Sequence, residues 1–97
     1  MYVGVSTYEF LVTGSTSLKE KRRVVQHIMG KMRSKFNASI AEVDHQDLQR
    51  RCTVGVSCVS NSSFHARKML HEMERFVRSQ YEIEVLNVDS EVMTPDA

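Results

Sequence analysis

The densest gathering of chemically capable side chains in this sequence is Glu42, Asp44, His45 and Asp47, inside the stretch AEVDHQDL at 41–48. Carboxylates and an imidazole so close together are the donors of an oxygen-and-nitrogen metal site. Against that, Arg50 and Arg51 follow at once and compete for the same carboxylates, and Asp and His are ordinary turn residues. The expectation is a charged turn with no metal ligands. The other reactive types do not assemble either. His27, His45, His65 and His71 show no HExxH spacing, neither Cys52 nor Cys58 belongs to a CxxC, and there is no glycine-rich phosphate loop. Without a nucleophile, a base and oxyanion donors in view, the sequence predicts no catalytic residues, no cofactor, and binding rather than catalysis.

A stronger signal is charge. SLKEKRRVVQHIMGKMRSKF, residues 17–36, holds seven Lys or Arg against one Glu in a chain whose formal net charge is +1. Solvated helix faces ordinarily mix Glu with Lys at i,i+4, whereas like charges at that spacing repel. Residues 82–97 are the opposite pole, with Glu82, Glu84, Asp89, Glu91 and Asp96 and no Lys or Arg. A molecule so divided presents a partner with one pole rather than the average.

The elements that position these charges follow from periodicity. YVGVSTYEFLV at 2–12 is β-branched and aromatic and reads as a strand with a bulge near Ser6 or Thr7. Ser17 and Glu20 form a capping box, so a helix starts at Leu18 with Leu18, Val25, Ile28, Met29, Met32 and Phe36 inward. Strands are expected at 36–44 and 51–59, the latter with Cys52, Val54, Val56 and Cys58 on one face. Ser60 or Asn61 caps a second helix with Ala66, Leu70, Met73 and Val77 inward, and 83–92 closes the chain as a strand. The order βαββαβ, with VGVS repeated at 3–6 and 54–57, predicts an α+β ferredoxin-like sandwich: a four-stranded antiparallel sheet with two helices on one face. At 97 residues and 41% apolar content, one domain over 1–97 is expected, because two cores would be too small.

On the helical wheel Lys19, Arg22, Arg23 and Arg33 share one flank with Gln26 and Gly30, Lys31 and Lys35 the other, and Lys21 sits at the rim of the core face. The first four are the predicted nucleic-acid contacts, to RNA or a ribosomal surface. Gly30 costs the helix roughly 1 kcal/mol relative to Ala, which suggests close approach to its backbone by a partner or by the second helix. If Val3 and Val5 face the helices, the open sheet face carries Gly4, Ser6, Thr53, Gly55 and Ser57, small residues suited to a homodimer. Base stacking there is disfavoured, because RCTVGVSCV lacks the aromatics of an RNA-recognition motif. Cysteines too far apart on one strand to bridge, and no apolar leader or run of about 20 residues, predict a cytoplasmic chain without a membrane partner.

SLKEKR at 17–22, AEVDHQDL at 41–48 and VGVSCVSN at 54–61 resemble the signature blocks of the YlxP-like proteins, small bacterial proteins of unassigned function. The resemblance implies a ferredoxin-like fold. Through the translation and transcription factors encoded beside family members, it also implies a connection to RNA or the ribosome. It supplies no catalytic residues. This chain has Gln49 where the family pattern has a Trp after HQDL.

Overall fold

The computed structural model describes residues 1–95, so Asp96 of the acidic segment lies outside the described residues. The chain runs β1 (Tyr2–Val12), α1 (Leu18–Lys35), β2 (Ser39–Asp44), β3 (Arg51–Ser60), α2 (Ser63–Arg78) and β4 (Ile83–Met93). The strands form one antiparallel sheet in the order β2-β3-β1-β4. Both helices lie on one face, where Val25, Ile28 and Met32 of α1 and Leu70, Met73 and Val77 of α2 are buried against Tyr8, Phe10, Val54 and Val56. This is the ferredoxin-like sandwich. No helix among the described residues is long and apolar enough to cross a membrane.

Local chemistry sets the helix ends. Ser17 Oγ accepts the Glu20 amide at 3.1 Å, as a capping box requires. The Glu20 carboxylate reaches one residue further back than expected, to the Thr16 amide and hydroxyl, and these hydrogen bonds hold its carboxyl below the usual range. At α2 the cap is Ser62, whose Oγ accepts the His65 amide; Ser60 instead accepts the Ser62 amide.

The phase of β1 differs from expectation. Gly4, Ser6, Tyr8, Phe10 and Val12 point to the helices, and Val3 and Val5 to the open face. There is no bulge near Ser6 or Thr7; the register slips between Glu9 and Phe10, and the extra residue belongs to β4. The anchor is the bulky half of the strand, since Tyr8 and Phe10 are almost wholly buried and side chains alternate strictly. Gly4 and Ser6 are therefore not on the open face. A Cβ at Gly4 would lie 3.0 Å from Cys58 Sγ and 3.2 Å from Leu70, so α2 needs the glycine, and the Ser6 hydroxyl pairs with Ser90. The VGVS repeat is out of phase, because Gly4 faces inward opposite Cys58 whereas Gly55 faces outward opposite Thr7.

Tyr8 Oη is buried and makes no hydrogen bond of good geometry among the described residues; the nearby Ser6 hydroxyl, paired with Ser90, offsets its burial only in part. Burial pushes its phenol up from 10.0 to about 12. An unsatisfied buried hydroxyl costs about 1–3 kcal/mol, so Tyr8→Phe is expected to raise stability by about 1 kcal/mol in urea denaturation at neutral pH. The unfolded chain releases this proton near pH 10 and the native chain near 12. Stability therefore falls across that interval, and Tyr8→Phe removes this part of the fall. A substitution that destabilises at neutral pH would show that the hydroxyl is satisfied.

Candidate nucleic-acid interface and the clamp beneath it

Lys21 occupies an apolar-stripe position of α1, between Ser17 at its N-terminus and Val25, and its side chain is wholly excluded from solvent. Its Nζ donates to Glu42 Oε2 at 3.1 Å, to the His45 carbonyl at 2.8 Å and to the Gln46 carbonyl at 3.2 Å. An ammonium has three donors, and all are used. Glu42 also accepts from Cys52 Sγ at 3.3 Å, and burial, with the Glu42 charge beside it, pushes that thiol strongly upward. Cys52 and Cys58 are both free and buried. The clamp holds a turn in which His45 adopts φ 62, a left-handed conformation stabilised by the bond from its amide to Asp44 Oδ1. On the open face His45 Nδ1 lies 2.8 Å from Thr53 Oγ1, and Arg51 pairs with Glu9 at 3.0 Å. The side chains of Glu42, Asp44, His45 and Asp47 do not converge on one point: Glu42 turns into the core, Asp44 and Asp47 are exposed, and only Asp44 and His45 approach each other, at 4.0 Å. Among the described residues no three His, Cys, Asp or Glu side chains gather to hold a metal.

Sequence reasoning placed Lys21 at the rim and missed this clamp. The available signal was its helical phase, shared with Val25, Ile28 and Met32, together with the single glutamate of β2, Glu42. In the same region the Arg50 side chain donates from Nε to the Ser15 carbonyl and the Gln49 backbone carbonyl, which any residue would supply, accepts from Ser15 Oγ, tying the turn to the loop before α1.

The clamp fixes how α1 lies on the sheet, and so what it shows to solvent. Lys19, Arg22, Arg23, Lys31 and Lys35 are exposed, and none makes an ion pair among the described residues. Arg33 is also exposed, but its guanidinium donates to the Ile40 carbonyl of edge strand β2 at 2.9 Å, so part of its role is to cover that edge. A Cβ at Gly30 would meet nothing within 4 Å, so the second helix is not the reason for this glycine. Glu84, Asp89 and Glu91 alternate outward on β4, away from the helices. The open face carries Thr53, Gly55 and Ser57 with Val3 and Val5, and Val43 lies over Gly55, its Cγ1 3.0 Å from where a Cβ would stand.

Residues 3–90 match the family described as "Protein of unknown function (DUF503)". The chain is 37% identical over 82 residues to the uncharacterised protein YlxP of Bacillus subtilis (strain 168), covering 84% of this chain and 89% of that protein. A solved structure titled as a putative antibiotic biosynthesis monooxygenase from Bacillus cereus aligns with a TM-score of 0.50 at 16% identity, over 99% of this chain and 91% of that one. At that identity the likeness concerns the fold alone. By its span and by its curated relative, the chain belongs to the DUF503 family of YlxP-like proteins, whose function is unknown.

Proposed function

We propose that this protein is a non-catalytic, cytoplasmic binding protein that docks on RNA, free or displayed on a ribosome, through the solvent face of α1. The observation that carries the reading is the set of exposed cations Lys19, Arg22, Arg23, Lys31 and Lys35, none in an ion pair among the described residues, on a surface remote from the outward β4 carboxylates. A polyanion is the partner that relieves their mutual repulsion by releasing its own counterions. Gly30, exposed in their midst without an in-chain reason, suits close approach of a backbone. The test is filter binding to ribosomal RNA across a salt series, comparing wild type with the combined Lys19→Gln, Arg22→Gln, Arg23→Gln variant. The slope of log affinity on log salt is expected to flatten by about 0.7–0.9 for each phosphate that the variant no longer neutralises. Arg33 is left intact because it holds the Ile40 carbonyl. An unchanged slope would reject this face.

A second reading, a homodimer joined through the open sheet face, is favoured by one observation. Val43 and Val59 are 54% and 64% exposed there, beside half-buried Val3 and Val5.

A further inference from the structure

Arg23, His27, Lys31 and Lys35 are all exposed and follow one another at i,i+4. Residues so spaced form a ridge on a helix, each about 6 Å further along the axis at 1.5 Å per residue. The ridge runs obliquely across the solvent face of α1 and ends at a groove of about 380 Å³ where the last turn of α1 meets α2. Phe36 and Phe76 line this groove, edge to face with centroids 5.9 Å apart, and Lys35 Nζ stands 5.8 Å from one ring centroid and 5.3 Å from the other. Arg75, Glu72 and Ser79 complete the rim. Both phenylalanines are only partly buried, although each packs on the core.

The geometry points to a track for single-stranded RNA, with phosphates along Arg23, Lys31 and Lys35 and one unstacked base in the Phe36–Phe76 groove. This rests on the reading of α1 as an RNA-binding face and extends it to a specific strand state. Three features of the groove match a nucleotide rather than a duplex or an acidic protein. Aromatic rings offer a flat apolar surface on which any base stacks. Lys35 and Arg75 flank them with positive charge for the adjoining phosphates. Glu72 is an acceptor for the exocyclic amino group that adenine, guanine and cytosine carry, whereas the carboxylates of an acidic peptide would meet it as like charges. A rigid duplex keeps its bases stacked and cannot enter. The step from Lys31 to Lys35, about 6 Å, is comparable with the phosphate separation of an extended strand, and Arg23 stands two such steps before Lys31.

The probe is a fluorescein-labelled single-stranded oligoadenylate of about twelve nucleotides, a length within the usual range of single-strand sites. Its affinity is compared with that of the same strand in duplex and with that of AMP. Phe76→Leu, which keeps an apolar side chain on the core, is expected to weaken binding about tenfold, the order of one base–aromatic stack, with the salt slope unchanged. Lys31→Gln with Lys35→Gln is expected to lower the slope by about 0.7 per phosphate released. Ultraviolet crosslinking of wild type to the same strand, mapped by mass spectrometry, is expected to mark the peptide containing Phe36 or Phe76 and does not depend on any variant folding. Equal affinity for the duplex, AMP binding as tight as the strand, or crosslinks confined to other peptides would each overturn the track. Undiminished binding by Phe76→Leu, while the Lys19, Arg22, Arg23 variant weakens, removes the groove and leaves the RNA reading. No binding of wild type to any RNA removes both.

Discussion

Lys21→Met is expected to lower the stability of the protein by about 3–5 kcal/mol, the cost of removing one partner from a buried ion pair. Methionine keeps the length and apolar stem of lysine, so packing is preserved. What remains is the Glu42 carboxylate, 15% exposed, with the Cys52 thiol its one remaining donor among the described residues, while the Gln46 carbonyl loses its lysine donor and the His45 carbonyl is left with the Leu48 amide. For a domain of this size each kcal/mol moves Tm by about 4–8 °C, so the fall should exceed about ten degrees. A second substitution separates charge burial from turn anchoring. Glu42→Leu added to Lys21→Met removes the orphaned carboxylate and should recover part of the stability, because a buried pair replaced by apolar groups is often neutral. The part not recovered measures the turn. Hydrogen exchange at Leu48, whose amide donates to the His45 carbonyl, should accelerate in both variants. A Lys21→Met protein within about 0.5 kcal/mol of wild type, the range of ordinary surface changes, would show that solvent reaches the pair.

How much of this was legible in the sequence depends on how many residues had to agree. The first helix was, because the capping box, the apolar stripe and the absence of internal proline concur over 18 residues. The third strand was, because Cys52, Val54, Val56 and Cys58 are separated by small or polar residues that leave its inward face unambiguous. The first strand was legible in its span, 2–12, but not in its inward face, since both faces are largely apolar: Val3, Val5 and Leu11 on one, Tyr8, Phe10 and Val12 on the other. Alternation then decides nothing, and side-chain volume does: the two large rings take the interior, and Gly4 and Ser6 follow them in by parity. Lys21 was misplaced for a related reason. A lysine in an apolar stripe is ordinarily read as snorkelling, and its three acceptors come from residues 42–46, which only the folded chain brings near. The candidate site was thus legible in its composition but not in its arrangement. The exposed cations follow from the wheel, whereas the tether of Arg33 to β2 and the groove at Phe76 depend on how the helices lie on the sheet.

If a second copy covers the open sheet face, Val5→Lys is expected to convert a dimer into a folded monomer. Gly55→Lys would be the poorer probe, because a Cβ at Gly55 comes within 3.0 Å of Val43 Cγ1, and the substitution would disturb β2 as well as any interface. Val5 has no such conflict. It stands on β1, one of the two central strands, between Ser57 of β3 and Glu91 of β4, and its side chain points away from the core. A two-fold interface is built from the same patch on both copies, so a residue near its centre meets its own image or a near neighbour. Two lysines brought together there would repel and be desolvated at once. Desolvating them costs several kcal/mol per ion, which Glu91 beside each offsets only in part, and a net loss of about 3 kcal/mol is roughly two orders of magnitude in Kd. Within one chain the same lysine lies in water beside Glu91, so the fold should keep its circular dichroism and its Tm. Sedimentation of wild type and variant at equal concentration reads the mass directly. A wild type that sediments as a monomer at high micromolar concentration would end the dimer reading, and Val43 over Gly55 would then account for that glycine within the chain itself.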